Sequence, residues 1–419
     1  MTMMRRLVLT EFKTEPAVAL STTERDTVRA LYPGLRIEPT IGSDGRYDLT
    51  PDQRVGLVCL PSLVIEVRPK VPMSSVLFLL SYACDAASWS GQQAEFSRNL
   101  DLVEMIAIML AGMVQQATRR GLLNGYQCED ESLQAPRGRI LFDDQIRRRL
   151  GISPPIEVRH DVFASDIVEN RLLLAALSAM CRIPIRSDCA RRELNRSQRL
   201  FGAVSRLHFK PTEVPDVLFT RLNRHYQPAV SLASFVLRSA SLDLGIGGTR
   251  GSAFLIDMNT VFERFVRSAL RVYLDADLAR FPERSPVLCL DQARVVPLKP
   301  DLCLLDGGRI VWVGDAKYKR LPVGGYRNAD LYQLLAYAVA LDLPGGTLVY
   351  AADEGVSAAE HVVRHAGKQL RVVALDLLAP RSKLLEQIDA LARVVRSSVP
   401  NVGVWNARHK IDPRIAAGL

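Results

Sequence analysis

Hydrophobic and polar positions follow first a strand period and then a helix period along this chain. Val55–Leu60 and Leu63–Val67 are short β-rich runs split by Pro61-Ser62, and Ser43-Asp44-Gly45 is a turn signal between Ile37–Ile41 and Tyr47–Leu49. Pro69 and Pro72 close this section. Val76, Leu79, Leu80 and Ala83 then recur at i, i+3, i+4 and i+7, and a second amphipathic stretch runs from about Leu100 to Gln116. Ile167, Leu172, Leu173 and Leu177 form another helix face within Asp166–Met180. Gly245-Ile246-Gly247-Gly248-Thr249-Arg250-Gly251 is the densest glycine stretch and reads as a linker. Beyond it the pattern predicts a helix from Met258 to about Leu278 and strands around Val287–Leu290, Leu302–Leu305 and Ile310–Val313. A helix over Ala329–Leu341, strands over Thr347–Ala351 and Arg371–Leu377 and a last helix over Lys383–Val395 complete it. This order predicts an α/β fold: a β-rich section (1–75), a helical, Arg-rich middle region (76–245) and a C-terminal domain (251–419) whose sheet is flanked by helices.

Composition narrows the classes. With 419 residues, 48% of them apolar, the chain exceeds what one core usually serves, and it is neither disordered nor fibrous. The net charge of +9 favours a polyanionic partner, and aromatics at 6% argue against a stacking platform for single strands. Ten basic residues stand against four acidic ones between Arg182 and Arg224, and Arg147-Arg148-Arg149 adds a second cluster. These runs read either as solvated helix faces or as a surface for a phosphate backbone. Seven scattered cysteines without a C-x-x-C pair support no disulfide framework or zinc knuckle. Leu7-Val8-Leu9 is too short for a signal-peptide core, and Met105–Val114 is about half a membrane span, so a soluble, cytoplasmic protein without a membrane partner is expected. No Gly-Lys-Ser/Thr follows the glycine stretch, so it is not a P-loop.

The chemistry concentrates in Pro300-Asp301 and Asp315-Ala316-Lys317. Strand alternation points Asp315 and Lys317 to one face and Ala316 to the other. The turn at Asp306-Gly307-Gly308 folds the preceding strand back, so Asp301 is expected close enough to Asp315 to share one ion. Two carboxylates and one ammonium suit a hard divalent cation, Mg²⁺ with Mn²⁺ as the alternative, completed by water and substrate phosphate. Lys317 would hold or help deprotonate the attacking water. A plain salt-bridge cluster is the competing reading. Glu263, inside the helix Asn259-Thr260-Val261-Phe262-Glu263-Arg264-Phe265-Val266, either joins the carboxylates as a third ligand or pairs with Arg267 at i+4. Gln333 either contacts water or phosphate or is an ordinary helix-surface residue.

This set resembles the PD-(D/E)xK nuclease superfamily, whose fold is a mixed sheet flanked by helices. Asp257-Met258-Asn259, Phe262–Val266, Lys299-Pro300-Asp301 and Gly314-Asp315-Ala316-Lys317-Tyr318-Lys319 are similar to the McrC family, nuclease subunits of McrBC modification-dependent restriction systems. Pro136-Arg137-Gly138-Arg139-Ile140, Asp144–Arg148, Asp166 with Glu169-Asn170-Arg171-Leu172-Leu173, and Arg68-Pro69-Lys70-Val71 agree, so the resemblance spans most of the chain. It implies a Mg²⁺-dependent DNA endonuclease in which Asp301, Asp315 and Glu263 hold the metal, with Lys317 completing the catalytic set. It also implies a McrB-like hexameric AAA+ GTPase as partner, which reads the methylated cytosine, moves double-stranded DNA and is stimulated in its GTP hydrolysis by this subunit. The N-terminal β-section would enter the motor ring, with Arg46, Arg54 and Arg68 biasing the GTPase sites. Two other readings compete: a non-catalytic activator of an AAA+ GTPase, and a repair or CRISPR-associated nuclease of the same superfamily without a motor.

Overall fold

A computed structural model describes residues 5–84, 100–149, 151, 153–246, 249–277, 279–319, 328–352 and 358–399. They divide into two compact units, one from 1–102 together with 241–419 and one from 103–240. Among the described residues no helix is long and apolar enough to cross a membrane.

The first unit opens with β1 (Arg5–Thr10), β2 (Glu15–Ala19), α1 (Thr22–Leu31), β3 (Arg36–Pro39), β4 (Arg46–Thr50), β5 (Arg54–Cys59), β6 (Leu63–Arg68) and α2 (Met73–Ala83). Ser21 and Glu24 form a reciprocal capping box that starts α1. β4 lies between β2 and β3 in a small antiparallel sheet. β6 pairs in parallel with β1 and antiparallel with β5, and its inward residues Leu63, Ile65 and Val67 are buried.

The second unit holds α3 (Leu102–Ala117), β7 (Gly125–Leu133), β8 (Arg139–Ile140), α4 (Phe142–Arg149), β9 (Ile156–Ala164), α5 (Val168–Arg182), α6 (Asp188–Gln198) and α7 (Gln227–Ser239). It is not purely helical: β9 pairs antiparallel with both β7 and β8. The run Glu129-Asp130-Glu131-Ser132 in β7 is wholly exposed, so the strand carries no apolar alternation to announce it. Asn170 fixes the start of α5 by donating to the carbonyls of Leu123 (2.8 Å) and Ser165 (2.7 Å). Arg171 clasps Asp166 through two bonds of 2.9 Å, and that pairing holds the Asp166 carboxyl well below the usual carboxylate range.

The chain returns to the first unit as β10 (Ala240–Ile246), β11 (Thr249–Asp257) and α8 (Met258–Tyr273). β11 pairs antiparallel with β5, Phe254 opposite Leu57, so the N-terminal sheet runs β1-β6-β5-β11-β10. The glycine-rich stretch expected as a linker therefore falls where one strand of this sheet ends and the next begins, residues 247 and 248 lying outside the described residues. The compact units divide at 102/103 and at 240/241. Asp257 caps α8 by accepting from the Asn259 N–H at 2.9 Å, and the helix ends at Tyr273 rather than near Leu278. Its buried stripe includes Val261, Phe262, Phe265, Val266 and Ala269. Phe265 meets Phe78 and Tyr82 of α2 at ring separations of 5.9 and 5.6 Å.

The remaining elements are β12 (Leu288–Cys289), β13 (Pro297–Leu298), β14 (Leu302–Asp306), β15 (Arg309–Lys317), α9 (Asn328–Ala340), β16 (Gly345–Ala352), β17 (Ala359–Val362), β18 (Gln369–Asp376) and α10 (Arg381–Ser398). The expected strand at Val287–Leu290 shrinks to β12. A mixed sheet runs β14-β15-β16-β18-β17, with β15, β16 and β18 parallel and the edge strands antiparallel. Leu334 and Tyr337 of α9 pack with Val313, Leu348, Tyr350 and Val372 in one core. α8 packs against β15, and α10 against β18.

Candidate active site

The β14–β15 hairpin builds the site. Gly307 and Gly308 both adopt positive φ (52° and 81°), the backbone of a tight hairpin turn, and Asp306 pairs with Arg309 across them. The register puts Leu302 opposite Gly314, so Asp301 flanks Asp315. The Asp301 carboxylate accepts from the Ala316 N–H at 3.0 Å, which locks it against the next strand. Gly314 is required here, because a Cβ would sit 2.6 Å from the buried Trp312 ring and 3.1 Å from the Thr347 carbonyl oxygen. β15 continues past the expected Val313 to Lys317, because β16 pairs with it as far as Lys317 opposite Tyr350. Asp315 and Lys317 share a face and form an ion pair.

The electrostatics are those of crowded anions. Asp315 is 0% exposed, and its Oδ1 has no hydrogen-bond partner among the described residues. Burial, then the charges of Asp315 and Glu263, push the Asp301 carboxyl up to about 8, with Lys317 and the Ala316 N–H opposing. Burial lowers the Lys317 pKa, but Asp315, Asp301 and Asp330 outweigh it, so the ammonium stays charged.

Glu263 forms an ion pair with Arg267 one turn on, and its charge also acts on Asp301. Arg267 in turn donates to the Asp301 carbonyl from Nε (3.2 Å) and Nη2 (2.7 Å), tying α8 to the hairpin. Gln333 donates from Nε2 to the Tyr337 hydroxyl at 2.6 Å, and that hydroxyl donates to the Lys299 carbonyl at 3.1 Å. Burial, followed by Asp315, raises Tyr337 to about 12, so the phenol faces the same charges.

Sequence reasoning missed a neighbouring group. Buried Asp330 accepts from Lys319 Nζ and from the Tyr350 hydroxyl, each at 2.8 Å. The Gly-Asp-Ala-Lys-Tyr-Lys run contained Lys319, but its partner arrives from α9. The arginines expected to reach a motor are engaged locally. Arg46 donates to the Ala17 carbonyl (3.0 Å), Arg54 lies 3.4 Å from Asp52 and Arg68 bonds Glu66 (2.7 Å).

A hard divalent cation fits this donor set: Asp301 and Asp315 offer carboxylate oxygens, Asp315 Oδ1 is buried without a hydrogen-bond partner among the described residues, and the charges of Asp315 and Glu263 disfavour the ionised form of Asp301. Among the described residues no group of three His, Cys, Asp or Glu side chains converges as a ready cation site. The arrangement is thus a carboxylate pair with Glu263 held beside it by Arg267, and Mg²⁺ commonly takes only one or two protein carboxylates.

Three comparisons bear on this geometry. A family model described as a McrBC 5-methylcytosine restriction system component matches residues 49–351. The type IV methyl-directed restriction enzyme EcoKMcrBC of Escherichia coli (strain K12) is 22% identical over 315 residues, covering 68% of this chain and 86% of that protein. Among solved structures, a half-complex of Thermococcus gammatolerans McrB AAA+ hexamers with bound McrC includes a chain that superposes with a TM-score of 0.52 at 18% identity. That match covers 93% of this chain and all of the other, and it shows a shared fold.

Proposed function

Because this chain belongs to the McrBC 5-methylcytosine restriction system components, we propose that it is the DNA endonuclease subunit of a GTP-driven restriction complex that cuts methylated DNA. Its C-terminal sheet and helices are then a PD-(D/E)xK nuclease domain, and its partner is a McrB-like AAA+ hexamer whose GTPase it stimulates. The observation that carries the reading is the juxtaposition of Asp301, just before β14, with Asp315 on β15, with Lys317 paired to Asp315 at the strand end.

Asp301 and Asp315, with Glu263 from α8 as the third ligand, would hold Mg²⁺, or Mn²⁺ in its place. The cation, when bound, neutralises charge on the scissile phosphate and acidifies water. The chain's own groups do the positioning. Lys317, kept charged by its neighbours, donates toward the phosphoryl oxygens and stabilises the charge that develops as water attacks phosphorus and the bond to the leaving oxygen breaks. A lysine held this firmly as ammonium suits charge stabilisation better than proton abstraction. Gln333, steadied by Tyr337, orients water or a phosphate oxygen.

The test is cleavage of methylated plasmid by the full chain with its AAA+ partner, GTP and Mg²⁺. Asp315→Asn and Lys317→Ala should each lower the cleavage rate at least 100-fold while co-elution with the partner persists. Undiminished cutting by either variant would sink the assignment.

A further inference from the structure

Lys317 sits where its strand stops. The pairing of β15 with β16 ends at Lys317 opposite Tyr350, so among the described residues no ladder partner follows it. Fixing a lysine costs rotamer freedom, and a displacement of about 1 Å at a reacting group costs on the order of 100-fold in rate. Something beyond the sheet must hold this residue. The two residues that follow are anchored on opposite faces. Tyr318 is 0% exposed, packs its ring 6.2 Å from that of Phe262, and donates its hydroxyl to Glu11 Oε1 at 2.6 Å. Glu11 is itself buried just beyond β1, and the same oxygen accepts from the Lys70 N–H at 2.7 Å just beyond β6. The Lys70 ammonium lies over the Tyr318 ring, 5.0 Å from its centre. On the other face Lys319 reaches Asp330, whose second oxygen accepts from Tyr350, the sheet neighbour of Lys317.

We propose that Tyr318 and Asp330 are positioning residues for Lys317, pinning the end of β15 from both faces so that its ammonium stays against Asp315. This rests on the nuclease reading of the site. Tyr318 ties the strand end to the ends of β1 and β6, and Asp330 closes a loop through Lys319, Tyr350 and the strand pair. Neither residue needs to touch DNA. The arrangement also makes the placement of Lys317 depend on the N-terminal sheet, through one hydroxyl–carboxylate bond.

The experiment is single-turnover cleavage by the full chain with its AAA+ partner, GTP and Mg²⁺ across a range of DNA concentrations, alongside thermal unfolding of each variant. Tyr318→Phe keeps the ring and should slow the cleavage step roughly 10- to 100-fold without moving the half-saturating DNA concentration. Glu11→Gln keeps an acceptor for the Tyr318 hydroxyl and should cut within a few-fold of wild type, whereas Glu11→Leu should match Tyr318→Phe. Asp330→Asn keeps an acceptor for Tyr350 but discharges the partner of Lys319, and should also slow cleavage at unchanged half-saturation. Wild-type rates in Tyr318→Phe or Asp330→Asn would overturn the proposal. So would losses of cleavage that merely track loss of folded protein in both variants, because the network would then serve stability alone. Absence of cleavage by the wild type in the same assay would overturn the nuclease reading itself.

Discussion

Replacing Asp301 by Asn should make the metal-free protein more stable, although it removes a residue assigned to the chemistry. Burial and the charges of Asp315 and Glu263 raise the Asp301 carboxyl from its ordinary 3.8 to about 8. Below about pH 4 the carboxyl is protonated in both folded and unfolded chains, and it costs nothing. Between pH 4 and 8 the unfolded chain has lost this proton while the folded chain keeps it, so stability falls steadily as pH rises. Above pH 8 the full penalty has been reached. At pH 7 the loss amounts to about 4 kcal/mol. Asn keeps an oxygen for the Ala316 N–H and carries no charge. In EDTA, thermal unfolding of the wild type should therefore weaken from pH 5 to pH 8, while Asp301→Asn stays nearly level in that interval. At pH 7 the variant should lead by roughly 10 °C for a unit of this size. Millimolar Mg²⁺ should recover most of the deficit in the wild type and little in the variant. Parallel pH curves in EDTA, or equal stabilisation of both proteins by Mg²⁺, would refute the reasoning.

Two further outcomes are expected. Gly314→Ala should cost about 1–3 kcal/mol of stability in chemical denaturation, because its methyl meets the Trp312 ring and the Thr347 carbonyl; an unchanged midpoint would show that the ring can yield. The chain without its partner should bind duplex DNA through phosphate contacts, losing roughly 10³-fold in affinity between about 50 and 200 mM salt. Methylated and unmethylated duplexes should bind alike in that salt series, and a clear preference for the methylated one would place modification reading in this chain.

What was legible in the sequence was what lies close along it. The Gly307-Gly308 turn and the alternation along β15 bring Asp301 beside Asp315 and set Lys317 on the same face, all within a single hairpin. The i+4 pairing of Glu263 with Arg267 was legible for the same reason. Contacts that depend on distant pairing were not. Gly245–Gly251 has the composition of a linker, and only the pairing of β11 with β5 reveals strands on both sides of it. Tyr318 finds Glu11 at a separation of 307 residues, and no local pattern marks either as a partner of the other. Strand β7 escaped notice because its polar residues face water and its apolar ones are few.

The discontinuity of the first unit has a consequence for synthesis. When β5 leaves the ribosome, one of its two edges has β6 to pair with, but the other must wait for β11, about 190 residues later, or on the order of 10–40 s at roughly 5–20 residues per second. During that interval Val55, Leu57 and Val58, all buried in the finished sheet, belong to an open strand edge. The second unit, continuous in sequence from 103 to 240, can complete its own core in the meantime. Nascent chains halted before Thr249 should thus hold one finished body and one waiting sheet, a state that invites either chaperone capture or pairing with a neighbouring chain.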